Sequence, residues 1–400
     1  MNHPIFFLIA DGMGDRPDVP GGRTPLELAH TPWMDRMACE GLVGTCRTVP
    51  KSMPPGSDVA NMALLGYDPA LHHTGRGPIE AAAQGLTPGP DDLVWRLNLV
   101  DLTEFSAAGT MLDYSSGHID NALGREIVST LQAELGDEVF SFHPGVQYRH
   151  LLVQRNGALG PMAGLNIRPP HDITDQGIET DFSAYSKHSG LLDLIRRANV
   201  VLARWTGQCR ARSVWPWGQG RALRLPTFKE RTGLNGGVVS AVDLVKGLGR
   251  AAGMVVPDIP GATGFLDTNY AAKVEAALNL ATGPDRFVYV HVEAPDECGH
   301  MGDLALKVRA VEEFDANVVG PLYRALGREA VWVVTCDHLT PLAIRTHSSE
   351  PVPFCFCAPD LPKSAPASFT ERSAARSGLH IDSGHEFLDF ILRKMSRPHA

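Results

Sequence analysis

Three aspartates each follow a short apolar run, and this placement is the feature of the chain that points most directly to chemistry. Asp11 and Asp337 come at the ends of two such runs, and Asp296 lies just past a third. The three runs are residues 5–10, 331–335 and 287–292. Such runs predict buried parallel strands, and in open α/β sheets ligands bind at the carboxyl ends of the strands.

Three histidines accompany these carboxylates. His338 adjoins Asp337, and His347 lies nine residues further on. His300 follows Asp296 by four residues. Carboxylate oxygen together with imidazole nitrogen suits Zn, Mn, Fe or Co, whereas sites built from oxygen alone suit Mg or Ca. Three Asp and three His exceed the needs of one tetrahedral ion, so the set predicts a pair of divalent ions. A pair about 3.5–4 Å apart can hold the attacking and leaving oxygens of a phosphoryl displacement.

Ser57 is the candidate nucleophile. It follows a Pro-Pro-Gly turn and opens a segment with the character of a short helix, which predicts an N-cap position. Unpaired N–H groups and the positive end of the helix dipole favour a phosphate or phosphoserine there. Each residue also has a structural alternative, since serines in such places ordinarily cap helices and aspartates after strands often do the same. The joint occurrence at three strand ends favours metal binding.

Composition restricts the class of protein. The 400-residue chain is long enough for two domains, and its net charge of -9 argues against nucleic acid as a partner. No stretch approaches the ~20 apolar residues of a membrane span. The N-terminal residues lack the charged n-region and cleavage site typical of a signal peptide, and seven Cys without framework spacing predict reduced thiols. These features predict a cytoplasmic enzyme without nucleic-acid or membrane partners, and they leave the oligomeric state open.

The ligands divide between the two ends of the chain, which predicts one domain interrupted by an insertion. Asp11 and Ser57 come early, and the next member of the set is Asp296. Turn residues at 75–78 and 218–226 suggest the outward and return connections. The predicted domains are residues 1–76 with 227–400, which bind metal, and residues 77–226, which are inserted. Within the insertion, 93–100 and 148–153 are typical of strands and 119–135 of a helix.

Several sequence blocks, in order along nearly the whole chain, carry a family resemblance. They are residues 11–17, 55–58 with 65–69, 75–78, 261–264 with 267–270, 296–303, 337–341 and 347–353. In combination they resemble the archaeal type of cofactor-independent phosphoglycerate mutase, within the alkaline phosphatase superfamily. The resemblance implies an α/β fold with an alkaline-phosphatase-like, mostly parallel sheet flanked by helices, and a smaller inserted α+β lid domain. It also implies interconversion of 2- and 3-phosphoglycerate without 2,3-bisphosphoglycerate, through a phosphoserine intermediate.

The resemblance further divides the ligands into two metal sites. One would use Asp11, Ser57, Asp337 and His338. The other would use Asp296, His300 and His347. Ser57 would be the nucleophile, and the two ions are expected to be Mn or Zn, with Mg, Co and Fe left open.

The inserted domain would act as a lid that binds a small phosphorylated hydroxy acid and excludes water. Arg96, Arg149 and the pair His171 and Asp172 are candidates for binding its charged groups, and either member of the pair could move a proton between hydroxyls. Lys246, in the metal-binding domain, could contact the phosphate. The alternatives are solvated strand-face arginines, an ordinary turn and a surface lysine.

Some residues depart from the archaeal pattern and keep other functions open. The bulky stretch 215–220 and the residues around His300 indicate a side branch of the family. One alternative is a phosphotransferase to another hydroxyl acceptor such as homoserine, and another is a hydrolase of phosphate or phosphonate esters. The metal and serine residues would be the same in each case.

Overall fold

The computed structural model describes residues 3–16, 22–359, 361 and 368–396, so Pro17 of the first family block lies outside it. In chain order the strands are β1 (Ile5–Ala10), β2 (Leu42–Cys46), β3 (Leu93–Leu102), β4 (Met111–Asp113), β5 (Phe140–Val146), β6 (Arg149–Gln154), β7 (Ser213–Arg221), β8 (Asn235–Val239), β9 (Arg286–Val292), β10 (Val331–Thr335), β11 (Val352–Cys357) and β12 (His380–Ile381).

The α-helices are likewise numbered in chain order. They are α1 (Pro25–Leu28), α2 (Pro32–Cys39), α3 (Ser57–Leu64), α4 (Pro69–His72), α5 (Arg76–Ala83), α6 (Asn121–Leu135), α7 (Glu179–Ser186), α8 (Ser189–Leu202), α9 (Phe228–Thr232), α10 (Asp243–Ala251), α11 (Tyr270–Leu280), α12 (Ala294–Met301), α13 (Leu304–Phe314), α14 (Gly320–Leu326), α15 (Glu371–Arg376) and α16 (Phe387–Ser396). A π-helical turn, Asp315–Val319, joins α13 to α14.

The chain forms two compact units. The sheet unit comprises the described parts of Met1–His73 and Arg224–Ala400, and the insert unit is Thr74–Leu223. The insert unit is therefore one continuous segment, and the sheet unit is assembled from the residues on both sides of it. The division of metal binding and substrate binding between the two stays a prediction.

The sheet unit is built on strands in the order β12-β2-β11-β10-β1-β9-β8. Strand β1 lies between β10 and β9 and is parallel to both, and β9 is parallel to β8. Strand β11 is antiparallel to its neighbours. All six residues of β1 are buried, as expected for a strand covered on both faces. Helices pack against this sheet, including α2 on β11 and α10 on β8. This architecture confirms the predicted α/β class and the mostly parallel sheet.

The insert unit contains an antiparallel sheet in the order β4-β3-β6-β5, with β7 also paired to β3. Its core is formed by alternating strand residues such as Trp95 and Leu97, with apolar residues of α6 such as Ile127. Helix α6 begins after Asp120, whose carboxylate accepts hydrogen bonds from the first backbone N–H groups. Strands and helices thus share one core in this unit, as expected of an α+β segment. Among the helices that the structure describes, none has the length and apolar character needed to span a membrane.

Candidate active site

The carboxyl ends of β1, β9 and β10 bring the three predicted aspartates together. Asp11 directly follows β1, and its backbone N–H donates to Val292 O at 2.9 Å, which fixes it beside the end of β9. Asp337 comes two residues after β10, and Asp296 lies in the first turn of α12. All three are buried, with exposed fractions of 1%, 0% and 5% for Asp11, Asp337 and Asp296. Three buried carboxylates at one sheet edge repel one another and require a cation or a positively charged partner.

One group of ligand atoms surrounds His338. Its Nε2 lies 3.1 Å from Ser57 Oγ and 3.5 Å from Asp11 Oδ1. The same nitrogen lies 3.5 Å from Asp337 Oδ2. Donor atoms of Asp11, Asp337 and His338 lie within 4.8 Å of one another. The structure therefore gathers the four residues that the family resemblance assigns to one metal site.

A second group surrounds Asp296. Its Oδ2 lies 3.1 Å from His300 Nε2 and 3.6 Å from His347 Nε2, and the two imidazole nitrogens are 3.0 Å apart. The rings of His338 and His347 are 4.0 Å apart between centroids, so the two groups adjoin. His338 also falls within one cluster with Asp296 and His347. It stands between the two groups rather than belonging to one alone.

Polar neighbours that the sequence analysis did not identify orient these ligands. Asn61 donates from Nδ2 to Asp337 Oδ2 at 2.8 Å, and the hydroxyl of Tyr289 donates to Asn61 Oδ1 at 2.5 Å. The Thr340 hydroxyl donates to Asp296 Oδ1. Asn61 lies one helical turn after Ser57 in α3, and that spacing was the sequence feature that could have revealed it. Contacts of this kind fix the direction in which a carboxylate presents its lone pairs.

The electrostatics of the cluster follow from burial and from its carboxylates. Burial raises the pKa of Asp11 well above its usual value, and the neighbouring charges of Asp337 and Asp296 raise it further. Burial also opposes ionisation of Asp296, but hydrogen bonds from His300 and from His347 outweigh it and hold its pKa well below the usual range. The hydrogen bond to Asp296 raises the pKa of His300 to about 9.

The chemistry of these side chains fits divalent cations. Asp11 Oδ1 is buried and has no hydrogen-bond partner, although it faces the cluster. An orphaned buried carboxylate oxygen is costly unless a cation binds it. The donors are oxygen and imidazole nitrogen, a combination that suits Mn, Zn, Fe or Co better than Ca.

The helix position of Ser57 differs from the prediction by one residue. Gly56 is the N-cap of α3 and Ser57 is its first helical residue, so the predicted N-cap assignment was wrong. The backbone of Gly56 is extended, and no side chain caps this helix. Ser57 is therefore not a helix cap, since its hydroxyl contacts His338 rather than the helix end.

In the insert unit, the structure buries Arg96 and gives it specific partners. The side chain on β3 is 8% exposed, and its guanidinium lies 3.0 Å from Glu80 Oε1 and 4.3 Å from the centre of the Trp217 ring. Its Nε has no hydrogen-bond partner. Arg96 is therefore not a solvated strand-face residue, and it keeps one buried donor unsatisfied.

The other candidates of the insert unit are more exposed. His171 Nε2 lies 3.4 Å from Asp172 Oδ1, and the His171 ring is 5.5 Å from that of Trp217. Burial lowers the pKa of His171, and the nearby Asp172 partly opposes that shift. Arg149 is exposed on β6, with its guanidinium 5.8 Å from the ring of Tyr148. Arg96 and His171 thus meet around one tryptophan, while Arg149 faces solvent nearby on the neighbouring strand.

Lys246 is held by its own helix. Its Nζ lies 2.8 Å from Asp243 Oδ1, one turn earlier in α10. The pair is partly exposed, so the lysine is an ion-paired surface residue in this structure. It lies in the sheet unit, as predicted.

Comparison with known proteins identifies relatives over the whole chain. A family model described as 2,3-bisphosphoglycerate-independent phosphoglycerate mutase matches residues 38–205. A probable 2,3-bisphosphoglycerate-independent phosphoglycerate mutase of Geobacter sulfurreducens is 44% identical, over 96% of this chain and 98% of that protein. The 2,3-bisphosphoglycerate-independent phosphoglycerate mutase of Methanosarcina barkeri is 42% identical, over 96% of this chain and 98% of its own length.

Two solved structures also share the fold. The PH0037 protein from Pyrococcus horikoshii superposes with a TM-score of 0.84 and 27% identity, covering 100% of this chain and 99% of that one. A cofactor-independent phosphoglycerate mutase from Thermoplasma acidophilum gives a TM-score of 0.64 and 26% identity, covering 98% and 99% of the two chains.

A mostly parallel sheet with buried carboxylates, imidazoles and a serine at its carboxyl edge defines a class of enzyme that uses divalent metal ions. Within that class, the extent of the similarity settles the family. The chain belongs to the 2,3-bisphosphoglycerate-independent phosphoglycerate mutases, which confirms the resemblance found in the sequence. Alternatives outside the mutases are not favoured by these relatives.

Proposed function

We propose that this chain interconverts 2-phosphoglycerate and 3-phosphoglycerate without 2,3-bisphosphoglycerate, and that Ser57 carries the phosphoryl group between the two positions. Family membership supports the reaction, and the Ser57 hydroxyl within the metal-ligand cluster is the single observation that supports the intermediate. Its Oγ lies 3.1 Å from His338 Nε2, at the amino end of α3. An isomerase of this kind acts on a small phosphorylated hydroxy acid.

The reaction balances as two transfers of one phosphoryl group. Ser57 Oγ attacks phosphorus, the bond from phosphorus to the substrate oxygen breaks, and the proton lost by Ser57 ends on that oxygen. Glycerate then presents its other hydroxyl oxygen to the phosphoserine, and the reverse exchange regenerates Ser57. A phosphoryl group on Ser57 would lie at the amino end of α3, where the unpaired backbone N–H groups favour anions.

The cluster residues would hold two divalent ions, with Mn or Zn preferred. Asp11, Ser57, Asp337 and His338 are assigned to one ion. Asp296, His300 and His347 are assigned to the other. Bound there, the ions would lower the pKa of the serine hydroxyl and neutralise negative charge on the phosphoryl group.

Arg96, Arg149 and His171 are proposed to bind the charged groups of the substrate. Arg96 is held in place by Glu80 and by stacking on Trp217, and its unsatisfied Nε–H provides a fixed donor. Planar guanidinium groups suit carboxylate and phosphate oxygens. His171 or Asp172 is proposed to move the proton between the two hydroxyls of glycerate. Lys246 is the weakest candidate because Asp243 already pairs with it.

A mutase assay tests the proposal directly. Metal-stripped protein is reloaded with Mn²⁺, given 3-phosphoglycerate without 2,3-bisphosphoglycerate, and analysed for 2-phosphoglycerate and free phosphate. Ser57→Ala should abolish the reaction, whereas Ser52→Ala should not, since Ser52 is an exposed serine five residues earlier. Mass spectrometry of the quenched wild-type reaction should find one added phosphoryl group on the peptide that contains Ser57.

Each other outcome identifies a different reaction. Release of free phosphate in place of 2-phosphoglycerate would contradict the proposal and indicate a hydrolase. No turnover at full metal occupancy would indicate another hydroxyl acceptor, such as homoserine. Full activity in Ser57→Ala would refute the phosphoserine.

The cellular location is a further proposal. All seven cysteines are free thiols, as expected in a reducing compartment. We therefore retain the cytoplasm as the predicted location.

A further inference from the structure

His291 is a buried histidine that neither the metal sites nor the proposed reaction has used. It lies on β9 with 0% of its surface exposed, five residues before Asp296. Its backbone oxygen accepts a hydrogen bond from the buried Lys273 Nζ at 3.1 Å, which fixes this end of the strand. A buried imidazole with no polar partner would cost about 1–3 kcal/mol, so the contacts of its two nitrogens decide its role.

The Nδ1 atom of His291 faces a hydroxyl. Ser240 Oγ lies 3.4 Å away, and that oxygen already accepts a hydrogen bond from Val242 N at 3.0 Å. The hydroxyl of Ser240 can donate its proton to Nδ1, and the carboxylate of Asp11 near Nε2 favours the same arrangement because it can only accept. An Nδ1 that accepts leaves the proton of the neutral imidazole on Nε2.

The Nε2 atom faces a metal ligand. It lies 3.1 Å from Asp11 Oδ2, a separation within hydrogen-bond range, although Nε2 makes no hydrogen bond to any described residue in this structure. The two oxygens of Asp11 are therefore distinguished, since Oδ2 faces an N–H donor while Oδ1 faces His338 and has no hydrogen bond. An N–H donor held this close to one oxygen restrains the carboxylate and so directs its other oxygen toward the cluster.

We propose that His291, set in its Nε2–H tautomer by Ser240, is a positioning residue that holds Asp11 Oδ2 and directs Oδ1 toward the metal ion. The inference rests on the proposed role of Asp11 as a metal ligand. Outer contacts of this kind commonly contribute about 10–100-fold to metal affinity. His291 acts through Asp11 and touches neither substrate nor reacting atoms.

Mn²⁺ binding to the metal-stripped full chain, measured by calorimetry, tests the inference without relying on turnover. Asp11→Ala first identifies which binding step depends on Asp11. His291→Leu should weaken that step by about 10–100-fold and leave the other step unchanged. His291→Gln should retain binding to within a few-fold, because its side-chain amide can donate from nearly the same place. His30→Leu is the control, since His30 is exposed in the same unit.

The alternatives give different patterns. Unchanged Mn²⁺ binding in a folded His291→Leu protein would overturn the inference. So would equal loss in the Gln and Leu variants, which would make the imidazole nitrogen itself a ligand. If the Leu variant does not fold, Ser240→Ala decides, since it should weaken the same step and unchanged binding would refute the tautomer argument. Absence of mutase turnover in a wild type that binds Mn²⁺ would contradict the proposed function and leave this inference intact.

Discussion

Replacing Lys307 by Met should destabilise the sheet unit more than any surface substitution. The Lys307 ammonium, on α13, donates to Asp15 Oδ2 at 3.2 Å, Gly14 O at 3.1 Å and Thr340 O at 2.7 Å. Both charged side chains are completely buried. Gly14 and Asp15 follow the segment of Asp11, and Thr340 follows that of His338. One ammonium therefore connects the loops after β1 and β10 that carry candidate ligands.

The magnitude follows from what the substitution leaves behind. Methionine fills a similar volume, so the main loss is electrostatic. Asp15 becomes a buried carboxylate with only two backbone N–H donors, Arg16 at 2.7 Å and Leu342 at 3.1 Å, and no positive charge beside it. Breaking a buried pair by removing one partner costs about 3–5 kcal/mol. Set against a typical total stability of about 5–15 kcal/mol, this is a large fraction. The double variant with Asp15→Asn should recover about 1–3 kcal/mol, because the uncompensated charge is then gone.

Native-state hydrogen exchange is the suitable assay, because the chain has two compact units and a global signal would mix them. Exchange of β1 peptides reports the opening free energy of the sheet unit, measured in both single variants and the double variant. Lys51→Met, at an exposed turn, is the control. A loss below about 1 kcal/mol in Lys307→Met, or strict additivity with Asp15→Asn, would refute the argument.

Three further predictions concern binding, pH and backbone conformation. Arg96→Met should lower kcat/KM for 3-phosphoglycerate by about 10–100-fold, because a charge-assisted hydrogen bond contributes about 1.5–3 kcal/mol. Burial raises the pKa of Asp315 to about 6, so the fold binds its proton more tightly than the unfolded chain does. The stability that Asp315 contributes is fully present below about pH 4 and is lost as the pH rises through 6. Asp315→Asn should remove this pH dependence from the free energy of unfolding measured in urea, a change of about 3 kcal/mol at most. Gly12→Ala should cost about 1–3 kcal/mol in thermal stability and weaken Mn²⁺ binding, because φ is +59° and the new Cβ would lie 2.5 Å from Asp296 Oδ1.

Matched variants separate these effects from general damage. Arg196→Met, at an exposed arginine of α8, should leave kcat/KM unchanged. Asp258→Asn should keep the wild-type dependence of the free energy of unfolding on pH, since its side chain is 97% exposed. Gly378→Ala shares a positive φ of +74° but meets nothing within 4 Å, so it should preserve Mn²⁺ affinity. Equal effects in a variant and its control would contradict the corresponding prediction.

The sequence predicted those parts of the site that follow from strand patterns. The apolar runs before Asp11 and Asp337 are visible in one dimension, and parallel strands necessarily gather their carboxyl ends at one edge. The segment from 303 to 326 also has helical periodicity. The π-helical turn within it adds a residue to one turn, and no sequence pattern marks the place of that turn. Helix boundaries were predicted less accurately. The N-cap of α3 is Gly56 and not Ser57, and the sequence could not separate them because glycine and serine both suit that position.

The residues that the sequence could not supply are those defined by neighbours distant along the chain. Asn61 is 276 positions from Asp337, and Thr340 is 44 from Asp296, so no local pattern marks either contact. In the sequence, His291 is an ordinary strand residue, and only the structure shows that it lies beside Asp11. For Arg96, a candidate substrate-binding residue, the alternative of a solvated strand face stayed open because β7, which carries Trp217, lies more than a hundred residues away.

The central position of β1 has a consequence for synthesis on the ribosome. This strand is among the first segments to emerge, yet its partners β9 and β10 are translated only after the whole insert unit. The six apolar residues of β1 must therefore remain unpaired while about two thirds of the nascent chain is made, since domains generally fold as units during translation. Thr74–Leu223 can complete its own contacts in that interval. The edge of the sheet that carries the candidate ligands can form only when the last quarter of the chain arrives.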